Sequence, residues 1–152
     1  MRSRQRAAHH APGGPERVVG ILIISHGALG EALIQSAGHM LGKPLAGVGQ
    51  LKVTARDDPE VLLARGRDLV KQLDQGQGVL VIADIFGATP GNVTARLLVA
   101  GKVEGVSGAS LPMLVRALTY RESPLATVVE KAMSGGHEGV VHMNADRCYG
   151  PG

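Results

Sequence analysis

Two short apolar runs constrain this chain more than anything else in it. Val18–Ile24 is an unbroken stretch of Val, Ile and Leu with one glycine, and Val79–Ala83 repeats the pattern. Neither run alternates with polar residues, so neither suits a strand with one wet face. Both read as strands buried on two sides, the signature of a parallel sheet covered by helices. The stretches between them carry helical signals. Leu33, Ala37 and Met40–Leu41 fall on one stripe of a helix predicted over 30–41, which Gly42 closes. Val48–Val53 reads as a shorter strand. Asp58 before Pro59 is a cap followed by proline at the first helical position, and Leu62, Leu69, Val70 and Leu73 continue at helical spacing. Thr89-Pro90 repeats that signal for a helix to about Val99. Val103–Ala109 reads as a strand and Leu111–Thr119 as a helix. Ser123-Pro124 opens a helix to Met133, with Gly135-Gly136 after it, and Gly139–Met143 reads as a last short strand.

Strands alternating with helices at this spacing imply right-handed βαβ units and one α/β domain, a doubly wound parallel sheet. A length of 152 residues suits a single core, built from Val, Leu, Ile and Ala because the chain has two tyrosines, one phenylalanine and no tryptophan. The domain is expected over 18–144. A disordered basic tail precedes it over 1–17, and a short C-terminal tail follows over 145–152. The net charge of +3 resides in that first tail, where Arg2, Arg4, Arg6 and Arg17 outweigh Glu16, and the remainder balances. A neutral body with so few aromatic rings lacks the electrostatic footprint and stacking platforms of a nucleic-acid binder. The single cysteine, Cys148, cannot close an intrachain disulfide, which fits a reducing, cytoplasmic setting. No apolar run is long enough to span a bilayer, and the N-terminus lacks the apolar core of a secretory signal. The histidines at 9, 10, 26, 39, 137 and 142 show no metal-ligand spacing. Gly38 to Lys43 falls one residue short of a phosphate-binding loop and has Pro44 where Ser or Thr is needed. Neither a metal nor a cofactor is expected.

Ligand sites in open α/β sheets gather at the carboxyl ends of strands, where strand order reverses. The first strand runs out into Ser25-His26-Gly27 and the third into Asp84, with Thr89 five residues on. If those strands are neighbours in a 2-1-3-4 order, His26 faces Asp84. A carboxylate accepting from one ring nitrogen fixes the tautomer and presents the other as a nucleophile or base. Gly27 would allow close approach to the backbone. The turn Gly87-Ala88-Thr89-Pro90-Gly91-Asn92 opens a helix whose first amides, those of 87–89 with Gly91 and Asn92, favour an anion, with the Thr89 hydroxyl beside them. Histidine nucleophile, carboxylate orienter and anion cradle together suggest phosphoryl transfer through a phosphohistidine. Spacing alone leaves open a plain turn histidine, a loop-capping Asp84 and a helix-capping Thr89.

The segments Val18–Gly27, Ile82–Asn92 and Gly108–Leu114, in this order, resemble the mannose-family enzyme IIA domain of the bacterial phosphotransferase system, over about residues 18–143. The resemblance implies that His26 accepts a phosphoryl group from phospho-HPr, that Asp84 hydrogen-bonds its ring, and that Thr89 and the following turn contact the phosphoryl oxygens. It also implies a parallel core in the order 2-1-3-4, with an antiparallel fifth strand near 139–143 exchanged across a homodimer. The acceptor would be a IIB-type protein of a sugar phosphotransferase system, or a dihydroxyacetone kinase complex. A regulatory module, docking a partner according to the charge state of His26, and a flavodoxin-like ligand binder are the alternatives. Ser110 stands where the family often has Asn, and Gly91 where a bulkier residue is common. Both bear on the choice of partner.

Overall fold

The computed structural model describes residues 17–145. The basic N-terminal tail up to residue 16 and residues 146–152, Cys148 included, lie outside the described residues. Strands β1 (Gly20–His26), β2 (Val48–Val53), β3 (Val79–Ala83) and β4 (Val103–Ser107) alternate with helices α1 (Leu29–Leu41), α2 (Pro59–Leu73) and α3 (Thr89–Leu97). After β4 come α4 (Leu111–Thr119) and α5 (Leu125–Glu138). Every strand pairing is parallel and the order is β2-β1-β3-β4. The alternation of elements therefore gives the expected doubly wound α/β sheet.

The two apolar runs became the two central strands, with β3 buried throughout and β1 buried as far as Ser25. Side chains alternate between faces. Ile21, Ile23, Leu80 and Ile82 pack toward α1, α4 and α5 through Ala37, Met113, Leu114, Ala117, Val128 and Ala132. Leu22, Ile24, Val79 and Val81 pack on the other face against Leu62 and Leu63 of α2 and Val93 and Leu97 of α3. Each such Leu, Ile or Val side chain contributes about 1.5–3 kcal/mol by leaving water, and aromatic rings are not needed to fill either layer. Local signals set the helix starts. Asp58 accepts from the Glu60 amide at 2.9 Å with Pro59 first in α2, and Ser110 accepts from the Met113 amide at 3.3 Å to start α4.

Two expectations are corrected. Thr89 is not the cap of α3 but its first residue. Ala88 holds the cap position in extended backbone, Pro90 comes second, and no side chain caps the helix. Proline fits there because an amide in the first turn has no intrahelical partner to lose. Gly135-Gly136 does not follow a finished helix, since α5 runs on to Glu138. A Cβ on Gly135 would lie 2.8 Å from the Arg116 Cβ and 3.0 Å from the Pro112 carbonyl, so glycine is what lets α4 and α5 touch. That packing outweighs a propensity penalty of about 1 kcal/mol per glycine. Residues 139–143, expected as a strand exchanged across a homodimer, pair with no strand among the described residues of the single chain. The Gly139 and Val140 amides turn back onto Gly135 and His137, and Val140 and Met143 stand exposed with no place in the sheet of the described residues.

At the amino end of the sheet, the half-buried Arg121 guanidinium donates to the carbonyls of Val19 (3.0 and 3.3 Å), Ala46 (2.6 Å) and Gly47 (3.0 Å). It pins the entry to β1 against the loop that leads into β2. The opposite end of the sheet is thereby left to the polar strand termini.

Candidate functional site

β1 and β3 finish side by side. Their register sets Ile24 opposite Ala83, and the Asp84 amide donates to the Ile24 carbonyl at 3.2 Å. His26 and Asp84, 58 residues apart in sequence, therefore emerge together at the carboxyl end of the sheet. Asp84 Oδ2 accepts the His26 backbone N–H at 2.9 Å and lies 2.8 Å from His26 Nδ1, while Oδ1 accepts the Ile85 amide at 2.9 Å. With Nδ1 donating to the carboxylate, Nε2 carries the lone pair. The His26 side chain is 53% exposed and the Asp84 side chain 9%, so the carboxylate is buried and the ring is open. Burial pushes the Asp84 carboxyl up, but the His26 amide, the His26 ring and its charge, and the Ile85 amide outweigh it. The net effect holds the carboxyl below the ordinary range. Asp84 therefore stays a carboxylate against which positive charge on the ring can develop.

Gly27 turns the chain out of β1 with φ +54°, its amide donating to the Val53 carbonyl at 3.0 Å, and nothing lies within 4 Å of where a Cβ would sit. That leaves the backbone beside His26 open to an approaching group. Across the crevice Gly87 takes φ +84° and the chain enters α3 through Ala88. The amide of Asn92 is not free for an anion. It is the fourth residue of α3, and it donates to the Ala88 carbonyl at 2.9 Å. The first-turn donors left are the amides of Thr89 and Gly91, since Pro90 has none, with the Thr89 hydroxyl alongside and not used as a cap. Gly91 does more than open the rim. Its Cβ position lies 3.0 Å from the Ile85 carbonyl, so glycine here lets the loop after Asp84 pack onto the first turn of α3. Ser110 starts α4 and takes no part in the His26–Asp84 contact.

Sequence reasoning missed two neighbours. Ile85 and Phe86 follow Asp84 directly, and Phe86, the chain's one phenylalanine, is 85% exposed. The signal was available. An apolar pair between a strand-ending aspartate and a turn glycine has no core face to enter. Three surface hollows border α1 and α4 or the Lys43–Ala46 loop, and His26 lines none of these three. Among the described residues no cluster of His, Cys, Asp and Glu is arranged to hold a metal, and no helix is long and apolar enough to cross a membrane.

Comparison with known proteins agrees with this fold. The profile of the family described as PTS system fructose IIA component, the mannose-type EIIA family, matches residues 20–133. The PTS system mannose-specific EIIAB component of Escherichia coli (strain K12) is 30% identical over 130 residues, 84% of this chain but 40% of that protein's length. The PTS system fructose-specific EIIA component of Bacillus subtilis (strain 168) is 28% identical over 108 residues, covering 69% of this chain and 72% of that one. Among solved structures, a phosphotransferase system component EIIA from Streptococcus agalactiae superposes with a TM-score of 0.72 at 25% identity, over 81% of this chain and 95% of that one. With the profile covering most of the described residues, this chain belongs to the mannose-type enzyme IIA family of the phosphotransferase system.

Proposed function

We propose that this protein is a phosphocarrier that takes a phosphoryl group from phospho-HPr onto His26 Nε2 and passes it to a IIB-type acceptor. The observation that carries this reading is the paired contact of Asp84 Oδ2 with the amide and Nδ1 of His26, which leaves Nε2 as the exposed nucleophile. The Nε2 lone pair attacks phosphorus, the phosphorus–nitrogen bond of the donor's phosphohistidine breaks, and its electron pair returns to the donor imidazole. Nδ1 keeps its proton throughout, and Asp84 balances the positive charge that the phosphorylated ring acquires. The amides of Thr89 and Gly91, the Thr89 hydroxyl and the N-terminal dipole of α3 receive the phosphoryl oxygens. Gly27, Gly87 and Ala88 shape the approach. An open shelf rather than a cavity suits a donor and an acceptor that are themselves proteins.

The same reading gives the 139–143 segment its use. β4 is an edge strand, and Val140 and Met143 are apolar and exposed, so the segment pairs antiparallel with a second copy in a homodimer. Light scattering on the purified protein tests this, and a monomer mass at micromolar concentration overturns it. The phosphocarrier reading is tested by intact mass after incubation with phosphoenolpyruvate, enzyme I and HPr. One acid-labile phosphoryl group in wild type and none in His26→Ala is expected. No gain in wild type, with HPr itself phosphorylated, refutes it and favours a signalling or ligand-binding module.

A further inference from the structure

The geometry points to a buried water site beneath the first turn of α1, held by Ser25 and Gln50, through which Ser25 positions His26. Ser25 immediately precedes His26 and is wholly buried, its side chain on the α1 face of the sheet, and its hydroxyl has no hydrogen-bond partner among the described residues. Gln50 of β2 pairs with Ile23 in the register and therefore stands on that same face, diagonal to Ser25. Its Oε1 is buried and likewise without a partner. Both residues border the first turn of α1 at Gly30. A Cβ on Gly30 would lie 2.9 Å from Ser25 Oγ and 3.3 Å from the Gln50 Cβ, so glycine is what lets the first turn of α1 close down over these two residues. Ala28 occupies the cap position of α1, and no side chain satisfies its first turn.

The chemistry of the pair selects the occupant. Gln50 Oε1 can only accept, Ser25 has one proton to give, and no hydrogen bond joins them directly. Buried orphan oxygens on one face of the sheet do not favour an anion, and two oxygens do not make a coordination shell for a cation. A water molecule fits: it donates to Oε1, accepts from the Ser25 hydroxyl, and keeps one hydrogen and one lone pair for the neighbouring helix turn. It would tie the last residues of β1 to β2 and α1. The next backbone amide along β1 is that of His26, which donates to the same Asp84 oxygen as the ring. Fixing Ser25 thus fixes the angle at which Nδ1 meets Asp84.

The use of this device rests on the phosphocarrier reading, but its test does not. Crystal structures of wild type, Ser25→Thr and Ser25→Ala at water-resolving resolution would be combined with nitrogen-15 spectra of the His26 ring, with no phosphoryl donor present. A density peak at about 2.7–3.2 Å from both oxygens is expected in wild type and Ser25→Thr and not in Ser25→Ala. The ratio of Nδ1–H to Nε2–H tautomer should hold in Ser25→Thr and fall at least threefold in Ser25→Ala. If Ser25→Ala does not fold, Gly30→Ala, which puts a methyl into the site, should give the same two losses. The proposal is overturned if the Gln50 amide is found donating straight to Ser25 Oγ, or if the water leaves and the tautomer ratio does not change. Failure of His26 to take up phosphate, with both signatures intact, would count against the phosphocarrier reading alone.

Discussion

Asp84→Asn removes one charge and almost no volume, and the geometry says how much that should cost. The carboxylate accepts three N–H groups: the amide and Nδ1 of His26 on Oδ2, and the Ile85 amide on Oδ1. Asparagine has one acceptor oxygen and one donor nitrogen. With its oxygen toward His26, the amide group confronts the Ile85 N–H. Turned the other way, it confronts the His26 backbone N–H and asks Nδ1 to accept, which moves the proton to Nε2 and blocks the nucleophile. The first arrangement keeps the tautomer but loses the charge. A hydrogen bond to a charged group is worth about 1.5–3 kcal/mol, or roughly 10–150-fold in rate if the ring becomes cationic during transfer. The second approaches the roughly 10⁴-fold loss seen when the corresponding carboxylate of a hydrolase triad is neutralised. The expected rate of phosphorylation therefore lies on the order of 10²-fold below wild type or lower. Intact mass read at timed quenches, with the same HPr and enzyme I stocks, measures it, and circular dichroism checks the fold. If Asp84→Asn is phosphorylated within about threefold of wild type while His26→Ala is not phosphorylated at all, the orienting role assigned to Asp84 is wrong.

Other consequences are as direct. Because folding depresses the Asp84 pKa, its stabilisation is complete above the ordinary carboxylate value of about 3.9 and is lost as pH falls through the folded value; the melting-point gap between wild type and Asp84→Asn should be constant near neutrality and close below about pH 4. Arg121→Met leaves the carbonyls of Val19, Ala46 and Gly47 without their donor and should cost about 3 kcal/mol or more in urea titration, whereas a loss below about 1 kcal/mol would show the pin to be ornamental. Gly91→Ala forces a Cβ to within 3.0 Å of the Ile85 carbonyl; it should destabilise by about 1 kcal/mol and slow phosphorylation, and an unchanged rate would detach the Ile85–Ala88 loop from the chemistry. Gly135→Ala should separate α4 from α5 at a cost of about 1–3 kcal/mol in the same titration, and a neutral or stabilising result would mean the glycine is only a weak helix former.

The sheet was legible because its central strands are buried on both faces and no other element of this length reads as an unbroken run of Val, Ile and Leu. His26 and Asp84 were legible for the same reason, as polar residues set at the ends of such runs. What failed to read correctly was punctuation. Glycine pairs and proline carry two meanings, chain breaker and close-packing residue, and only a neighbour decides between them. Gly135 has Arg116 and Pro112 against it, so the helix continues. Thr89 looked like a cap because Thr-Pro usually is one, and the structure begins the helix one residue earlier, with Ala88 at the cap. The Val140–Met143 stretch has strand composition but, among the described residues, pairs with neither sheet edge, since pairing is a property of two segments and a sequence describes one. Arg121 carried no signal at all: its partners are backbone carbonyls on loops far away in sequence.

The shared oxygen of Asp84 makes strand pairing and ring orientation one device. Oδ2 meets the main chain and the side chain of His26 together, so the ring can be oriented only while β1 and β3 keep their register, and a slip of one residue would turn His26 to the other face of the sheet. Stability lost elsewhere should then act on the number of competent molecules and not on their speed. Arg121 works at the amino end of the sheet, away from His26. Its Met variant, corrected for the fraction folded, should take up phosphate at the wild-type rate, while Asp84→Asn stays slow when fully folded. Equal rates per folded molecule for the two variants would mean that orientation of His26 is delocalised over the whole sheet rather than held by this one carboxylate.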